Sequence, residues 1–187
     1  ITTGHTRGIE YALDSLYSNI QANELFCGTI QDGPQFSMRG IIEGFYGPPW
    51  THEDRLDVIS FLKKEHMNTY MYAPKNDVYH RKEWRKPYPQ KDLQLLLELI
   101  NESIKHNIDF YFCISPGLDF NYTLEEDFAA LYAKIDTIIS YGVTHFCLLL
   151  DDIDYKLTGS DLSEFQTPGK AHSYIANQLY QHLQTHN

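Results

Sequence analysis

The sequence of 187 residues has no apolar run near the roughly 18 residues that a membrane-spanning helix needs. It also has no secretory signal pattern, and because it begins with Ile1 we expect a processed or trimmed start. Positive charge is scarce, since 15 Lys and Arg stand against 25 Asp and Glu, a formal net charge of -10. We therefore expect neither nucleic acid nor an anionic membrane as a main partner.

Cysteine is scarce as well. Cys27, Cys113 and Cys147 are an odd set without the C-x-x-C spacing of zinc or redox motifs. Cys113 and Cys147 lie in apolar stretches, so we interpret both as small buried thiols. Low-complexity segments and charge blocks are missing, whereas aromatic residues are plentiful, with 14 Tyr and 10 Phe. The chain is therefore predicted to be globular.

Familiar catalytic and cofactor motifs are absent too. The sequence contains no GxSxG nucleophile elbow, no GxGxxG fingerprint and no phosphate-binding loop. A segment beginning at His52 starts like a zinc-protease helix, but Leu56 stands where the second histidine would be needed. Asp152 and Asp154 are spaced like the first calcium ligands of an EF-hand, but Tyr155 interrupts that pattern. We expect no metal and no other cofactor.

From residue 38 onward the sequence alternates between short strand patterns and amphipathic helix patterns. The predicted strands are 38–46, 68–74, 109–115 and 144–150. The predicted helices that follow them are 52–66, 91–107, 124–141 and 169–184. Thr51 is suited to cap the first helix and Gly142 to end the third. Repeated β-α units predict an α/β fold with a parallel sheet and right-handed crossovers.

Two architectures fit four β-α units. One is a complete, open doubly wound sheet, and the other is the first half of a (β/α)8 TIM barrel, which typically has about 250 residues. Residues 1–37 do not follow the alternation. They contain a predicted helix at 5–21 with an apolar face, an apolar segment at 25–30 and a turn at 32–34. We interpret residues 1–37 as the C-terminal part of a small α+β domain and residues 38–187 as the β-α domain.

Asp151 and Asp152 are the strongest candidates for a functional site. They follow an apolar strand pattern at 146–150, which we predict to be buried on both faces, as in parallel sheets. A helix cap, a solvated turn or a cation site would also place acids here. A charged pair directly after such a strand is unusual for a plain surface turn, so a functional role is favoured. General acid and electrostatic catalysis at a sugar is one such role.

The ends of the first two predicted strands carry further candidates. Around Tyr46, Gly44 and Gly47 would let the backbone approach a ligand, and the aromatic ring offers a stacking surface. A tight turn with core aromatics is the alternative. Lys75 follows the second strand, where it could donate to a hydroxyl or pair with a carboxylate, although solvated loop lysines are commoner.

The third strand end and the loop before it are less informative. Residues 115–117 (SPG) read as a simple turn, from which Asp119 could still reach a site. The basic run at 81–86 is interpreted as a solvated loop face, because it also contains Glu83 and Trp84.

In their order along the chain, four motifs resemble glycoside hydrolase family 84. This is the O-GlcNAcase and bacterial β-N-acetylglucosaminidase group, some of whose members are described as hyaluronidases. The motifs are residues 39–47 (RGIIEGFYG), 68–75 (NTYMYAPK), 114–117 (ISPG) and 149–154 (LLDDID). The similarity extends over residues 38–160, and residues 1–37 are similar to the end of the family's preceding α+β domain.

The resemblance implies a (β/α)8 barrel and a retaining mechanism assisted by the substrate, in which the 2-acetamido oxygen attacks its own anomeric carbon to form an oxazoline. It implies that Asp151 orients the acetamido group and stabilises positive charge on its nitrogen. Asp152 would act first as the general acid and then as the base. Gly44, through its carbonyl, Tyr46 and Lys75 would line the sugar pocket. The implied substrate is a β-N-acetylglucosaminide on a glycan or glycoprotein.

Two features limit the match. Asn76 follows the lysine where the family often has an acidic residue, and residues 48–49 (PP) match weakly. The family's other sugar-binding residues belong to later strands. We therefore expect this chain to be a fragment that is inactive in isolation, with the remainder of the barrel supplied by further sequence. The alternatives are a non-catalytic carbohydrate-binding module or scaffold and a complete doubly wound binding domain.

Overall fold

The computed structural model describes residues 1–21, 28–154 and 156–186. Its centre is a four-stranded parallel sheet in the order β1-β2-β3-β4. The strands are β1 (Gly40–Glu43), β2 (Thr69–Tyr72), β3 (Asp109–Ile114) and β4 (His145–Leu148). Each lies within one of the four predicted strands. The predicted α/β class with a parallel sheet is therefore confirmed.

Helices connect and flank these strands. They are α1 (Thr6–Gln21), α2 (His52–Lys64), α3 (Gln90–Lys105), α4 (Glu125–Ser140), α5 (Gly159–Phe165) and α6 (Pro168–Gln184). All but α5 were predicted, with both ends within two residues. Helix α5 and a short 3-10 helix at Val78–His80 were missed, because seven and three residues are too few to show a periodic pattern. None of the described helices is long and apolar enough to cross a bilayer.

The predicted ends of α2 and α4 have the expected physical basis. The Thr51 hydroxyl accepts from the Asp54 amide at 3.1 Å, and the Asp54 carboxylate accepts from the Thr51 amide at 2.8 Å. This reciprocal capping box satisfies two amides that the first turn of a helix leaves free. In the third β-α unit, Gly142 follows α4 with a φ of 92°, a conformation that glycine adopts without strain.

The core lies between one face of the sheet and the helices α2, α3, α4 and α6. Its strand residues are Tyr70, Tyr72, Phe110, Phe112 and Ile114. Its helix residues are Ile59, Leu62, Leu96, Leu99, Ile100, Leu131, Ile135, Ile138, Ala171, Ile175 and Leu179. The opposite face carries the row Ile42, Met71, Tyr111 and His145 in register. That face is the more exposed one over the described residues, with Ile42 59% exposed.

The strand order distinguishes between the two architectures that the sequence left open. A doubly wound sheet reverses its strand order at a switch point. The four described strands follow each other without reversal. This is the arrangement of consecutive strands in part of a barrel.

Two predictions about burial are wrong. The segment 146–150 is not buried on both faces, because β4 is an edge strand with β3 as its only described neighbour, and its residues are half-buried. Cys147 is half-buried for the same reason, whereas Cys113 beside it in register is buried as predicted. Cys27 lies outside the described residues.

Helix α1 lies at the amino-terminal edge of the sheet. The Arg7 guanidinium donates to the Asn107 carbonyl at 2.8 Å and to the Asp109 carboxylate at 2.5 Å. The Tyr11 ring stacks on His66 with a centroid separation of 4.3 Å. These contacts tie α1 to the loops that precede β2 and β3.

The predicted apolar face of α1 is largely uncovered by the described residues. Ile9, Leu13 and Leu16 are 45%, 50% and 50% exposed. Half of the apolar segment at 25–30 lies outside the described residues, and residues 28–39 contain no helix or strand. The assignment of residues 1–37 to a separate α+β domain stays a prediction.

Candidate active site

The carboxyl ends of β1, β2 and β4 bring four of the five predicted site residues together. Lys75 Nζ lies 3.5 Å from Asp151 Oδ2 and 3.9 Å from Asp152 Oδ2. The Tyr46 hydroxyl donates a hydrogen bond to Asp152 Oδ2. Lys75 Nζ also lies 4.9 Å from the centroid of the Tyr46 ring. One ammonium group therefore faces both carboxylates and an aromatic ring.

The charges at this site are only partly shielded from water. The Asp151 and Asp152 side chains are 54% and 50% exposed, and that of Lys75 is 18% exposed. Ion pairs this exposed contribute little to stability. The hydrogen bond to Asp152, followed by the loss of water and the nearby negative charge, raises the pKa of Tyr46. Its hydroxyl therefore stays protonated and remains a donor.

Gly44 lies at the same sheet edge but is not joined to the carboxylate pair by a described contact. The carbonyl of the preceding Glu43 accepts from the Ala73 amide at 3.1 Å, which extends the β1–β2 pairing. A Cβ added at Gly44 would lie 3.3 Å from Ile42 Cγ2 and 4.0 Å from Ala73 Cβ. The role of Gly44 in a sugar pocket stays a prediction.

The loop after β4 fits tightly against the loop after β3. Asp152 has a φ of 52°, in the left-handed region that aspartate tolerates better than most residues and that is common at functional sites. The next residue, Ile153, is buried. A Cβ added at Gly117 would lie only 2.9 Å from Ile153 Cγ2. Because position 117 carries no side chain, Ile153 can pack against it and so hold the loop that carries the carboxylate pair.

Arg81 is a site residue that the sequence analysis missed. Its guanidinium donates to the Asp152 carbonyl at 3.1 Å and to the Ser115 hydroxyl at 3.2 Å. It thus joins the loops that follow β2, β3 and β4. The only sequence signal was its place shortly after Lys75, which is too weak to assign a contact.

Comparison with known proteins identifies the family. The beta-N-acetylglucosaminidase (NAGidase) family model matches residues 39–187, which is more than half of the chain. The chain belongs to this family. The predicted membership of glycoside hydrolase family 84, a family of glycosidases, is confirmed.

Individual relatives agree with this assignment. Protein O-GlcNAcase of Rattus norvegicus and that of Mus musculus are each 38% identical over 144 residues, which cover 77% of this chain and 16% of the relative. The structure of a Thermobaculum terrenum O-GlcNAc hydrolase mutant aligns with a TM-score of 0.74 at 38% identity, over 80% of this chain and 33% of that one. The structure of CpGH84B aligns with a TM-score of 0.64 at 48% identity, over 66% and 22%. The chain thus spans about one sixth of the length of these curated relatives.

In this family 84 chain, the run 81–86 has a structural function. The interpretation as a solvated loop face is wrong, because Trp84 is fully buried and its indole donates to Asp119 at 2.9 Å. Arg85 pairs with Asp119 at 2.6 Å and with Asp127 of α4 at 2.8 Å. Arg85 therefore joins Asp119 to α4, and no described contact connects Asp119 with the carboxylate pair.

Asp77 holds the loop that carries Lys75 by accepting hydrogen bonds. Its carboxylate accepts from the hydroxyls of Tyr72 and Tyr88 at 2.9 and 2.7 Å, and from the Tyr79 amide at 2.8 Å. Burial, reinforced by the Asp77 charge, raises the pKa of Tyr72 and of Tyr88, so both hydroxyls are donors. Asp77 therefore holds Lys75 at the edge of the sheet.

His80 also holds the loop that carries Lys75. Its surroundings lead us to expect that the stability of the fold depends on pH. His80 is buried, and its Nε2 lies 3.0 Å from the Pro74 carbonyl. Burial lowers the pKa of His80, with the Lys75 and Arg81 charges adding to the effect and the charge of Asp77 and the Pro74 carbonyl opposing it. The unfolded histidine titrates near the ordinary value of about 6.5. Below that pH the unfolded state binds more protons than the folded state.

The contribution of His80 to stability is therefore complete above about pH 6.5 and is lost as the pH falls from there through the folded pKa. We expect His80→Gln to flatten the decrease in the free energy of unfolding between neutral and mildly acidic pH. Urea denaturation at a series of pH values measures this slope. A variant with the slope of the parent protein would contradict the assignment.

Proposed function

We propose that this chain supplies the first half of a TIM barrel in a retaining β-N-acetylglucosaminidase of the O-GlcNAcase type, which removes terminal β-linked N-acetylglucosamine. The observation that carries this proposal is the meeting of Tyr46, Lys75, Asp151 and Asp152 at the carboxyl edge of a parallel sheet. Active sites of TIM barrels form at that edge. Further sequence would supply the later strands and cover the exposed face that carries Ile42.

In the first step, the Asp151 carboxylate accepts a hydrogen bond from the N–H of the 2-acetamido group and directs its carbonyl oxygen to the anomeric carbon. The new bond from that oxygen forms as the bond to the leaving oxygen breaks, and Asp152 donates a proton to the leaving oxygen. The product is an oxazoline whose positive charge on nitrogen Asp151 stabilises. In the second step, Asp152 accepts a proton from water as the water opens the oxazoline, so the β configuration is retained.

The surroundings of the two carboxylates support this division of roles. Lys75 lies within ion-pair distance of both carboxylates, whereas the Tyr46 hydroxyl donates only to Asp152. Two carboxylates in different surroundings can take different roles at one pH. Lys75 offsets the repulsion between them, and it is also placed to donate to a sugar hydroxyl.

A comparison of two substrates tests the proposal. We expect the full-length protein to hydrolyse an aryl β-N-acetylglucosaminide and to leave the matching aryl β-glucoside almost untouched, because a 2-hydroxyl cannot replace the acetamido oxygen as the internal nucleophile. Release of the phenol measures both reactions. Hydrolysis of neither substrate would contradict the function, and equal hydrolysis of both would contradict the mechanism.

The same assay tests the half-barrel. The 187-residue chain alone should show little activity, because later strands would complete the pocket. An isolated chain as active as the full-length protein would contradict this. The alternative of a non-catalytic carbohydrate-binding module is not favoured, because the relatives are hydrolases by name and no described feature requires loss of turnover.

A further inference from the structure

Away from the candidate active site, α4 and the carboxyl-terminal end of α6 bring Asp136, His182 and His186 together. Asp136 Oδ1 lies 2.5 Å from His182 Nε2 and 2.9 Å from His186 Nε2. The potential ligand atoms of all three residues lie within 4.8 Å of one another. Two imidazoles thus converge on one carboxylate oxygen, although the hydrolysis proposed above requires none of these groups.

We propose that this cluster binds a divalent transition-metal ion, with Zn²⁺ as the representative ion. Imidazole nitrogens suit Zn²⁺, Cu²⁺ and Ni²⁺, and zinc also accepts a carboxylate oxygen. His182 lies in the last turn of α6 and His186 two residues beyond its end, and both imidazoles face the same carboxylate oxygen of Asp136. Asp136 adds a ligand from α4. Three protein ligands would leave at least one coordination position for water.

The three side chains need to move only slightly to hold such an ion. Tetrahedral bonds of about 2.1 Å separate the ligand atoms by about 3.4 Å, so the two Asp136 contacts must open by less than about 1 Å. The two imidazole nitrogens, which lie within 4.8 Å of each other, must approach by no more than about 1.4 Å. Asp136 and His186 are free to do so, since their side chains are 46% and 34% exposed. The His182 ring is held in place by stacking on Tyr132, with a centroid separation of 4.2 Å and an angle of 11°.

The cluster lies at the opposite end of the sheet from the carboxylate pair. Asp136 is near the carboxyl end of α4, and the two histidines are at or just beyond the carboxyl end of α6. Helices in β-α units run back along the sheet, so these ends lie at the amino-terminal edge of the strands. A bound ion would join α4 to α6 without touching the site of hydrolysis. This proposal departs from the expectation, drawn from sequence, that no metal is bound.

Zn²⁺ titration of metal-free full-length protein tests the proposal. We expect the double variant His182→Ala/His186→Ala to bind one Zn²⁺ fewer per chain than the parent in calorimetry. We expect Asp136→Asn to weaken that binding event by about tenfold or more. Because an ion that binds only the folded state stabilises it, Zn²⁺ should raise the Tm of the parent more than that of the double variant.

His106→Ala is the matched control, because His106 Nε2 lies 2.8 Å from the Glu102 carboxylate and has no second imidazole beside it among the described residues. This control should keep the parent stoichiometry. Hydrolysis should be the same in all variants, which distinguishes this proposal from the proposed function. Co²⁺ absorption of the single variant His186→Gln gives a readout that does not depend on thermal stability. Unchanged Zn²⁺ stoichiometry in the double variant, or an unchanged Co²⁺ spectrum in His186→Gln, would overturn the proposal.

Discussion

Asp152→Asn in the full-length protein should reduce kcat by about 10²–10⁴-fold for substrates with poor leaving groups. An amide cannot supply the proton that a poor leaving oxygen needs. It can still occupy the same space and still accept the hydrogen bond from Tyr46. A substrate whose phenol leaves without protonation should therefore lose much less rate in the first step. The ratio of rates between the two kinds of substrate is the measurement.

Asp151→Asn distinguishes the role of Asp151 from that of Asp152. If Asp151 directs the acetamido oxygen, its loss slows formation of the oxazoline whatever the leaving group. The rate should then fall for both kinds of substrate, and the ratio between them should stay close to that of the parent. The same leaving-group dependence in both variants would contradict the assignment of separate roles.

Asp154→Asn is the control for both variants. Asp154 is exposed, and its carboxylate accepts from the Lys156 amide at 3.1 Å, which is a local turn contact. The same change of charge, two residues away, should leave hydrolysis near the parent rate. Loss of activity in this variant comparable to that of Asp152→Asn would show that net charge, not a positioned acid, explains the effect.

The parts of the fold that could be predicted are those with a repeating physical cause. Apolar residues at every third or fourth position predicted α2, α4 and α6. The alternation of strands with helices predicted a parallel sheet. That sheet then brings Lys75 and Asp151 together although 76 positions separate them, because parallel strands end at one edge. Convergence at the site was therefore predictable from topology.

The parts that could not be predicted depend on the paths of loops and on the packing between helices. Arg81 reaches Asp152 only because the loop after β2 folds back over Ser115. The spacing of His182 and His186 is visible in the sequence, but the approach of Asp136 depends on how α4 packs on α6. The exposure of β4 depends on what lies beside the sheet edge, which no pattern within the strand records.

Breaking the buried ion pair between Glu43 and Arg55 should cause a large loss of stability. The guanidinium donates to both Glu43 oxygens at 2.8–3.0 Å, and the Tyr70 hydroxyl donates to the same carboxylate. The Glu43 and Arg55 side chains are only 1% and 12% exposed. Although Glu43 lies within a family 84 motif, it faces α2 instead of the carboxylate pair. Its role is structural.

We expect Glu43→Leu and Arg55→Met each to lower the free energy of unfolding by about 3–5 kcal/mol, because each leaves a buried charge without its partner. The double variant should lose less than the sum of the two, because it removes both charges together. Urea denaturation of the four proteins gives the coupling energy. Simple additivity would contradict a direct ion pair.

The exposed pair of Glu83 and Lys86 provides the comparison. Their side chains are 36% and 66% exposed at a separation of 2.7 Å, so breaking this pair should change the free energy of unfolding very little. Arg55 also donates to Asn76 at 3.4 Å, next to Lys75, and Glu43 precedes the loop that carries Tyr46. The buried pair therefore joins the two loops that approach Asp152. The Glu43→Leu/Arg55→Met variant should fold but hydrolyse the substrate more slowly. The loops that carry Tyr46 and Lys75 would no longer be held in position beside Asp152.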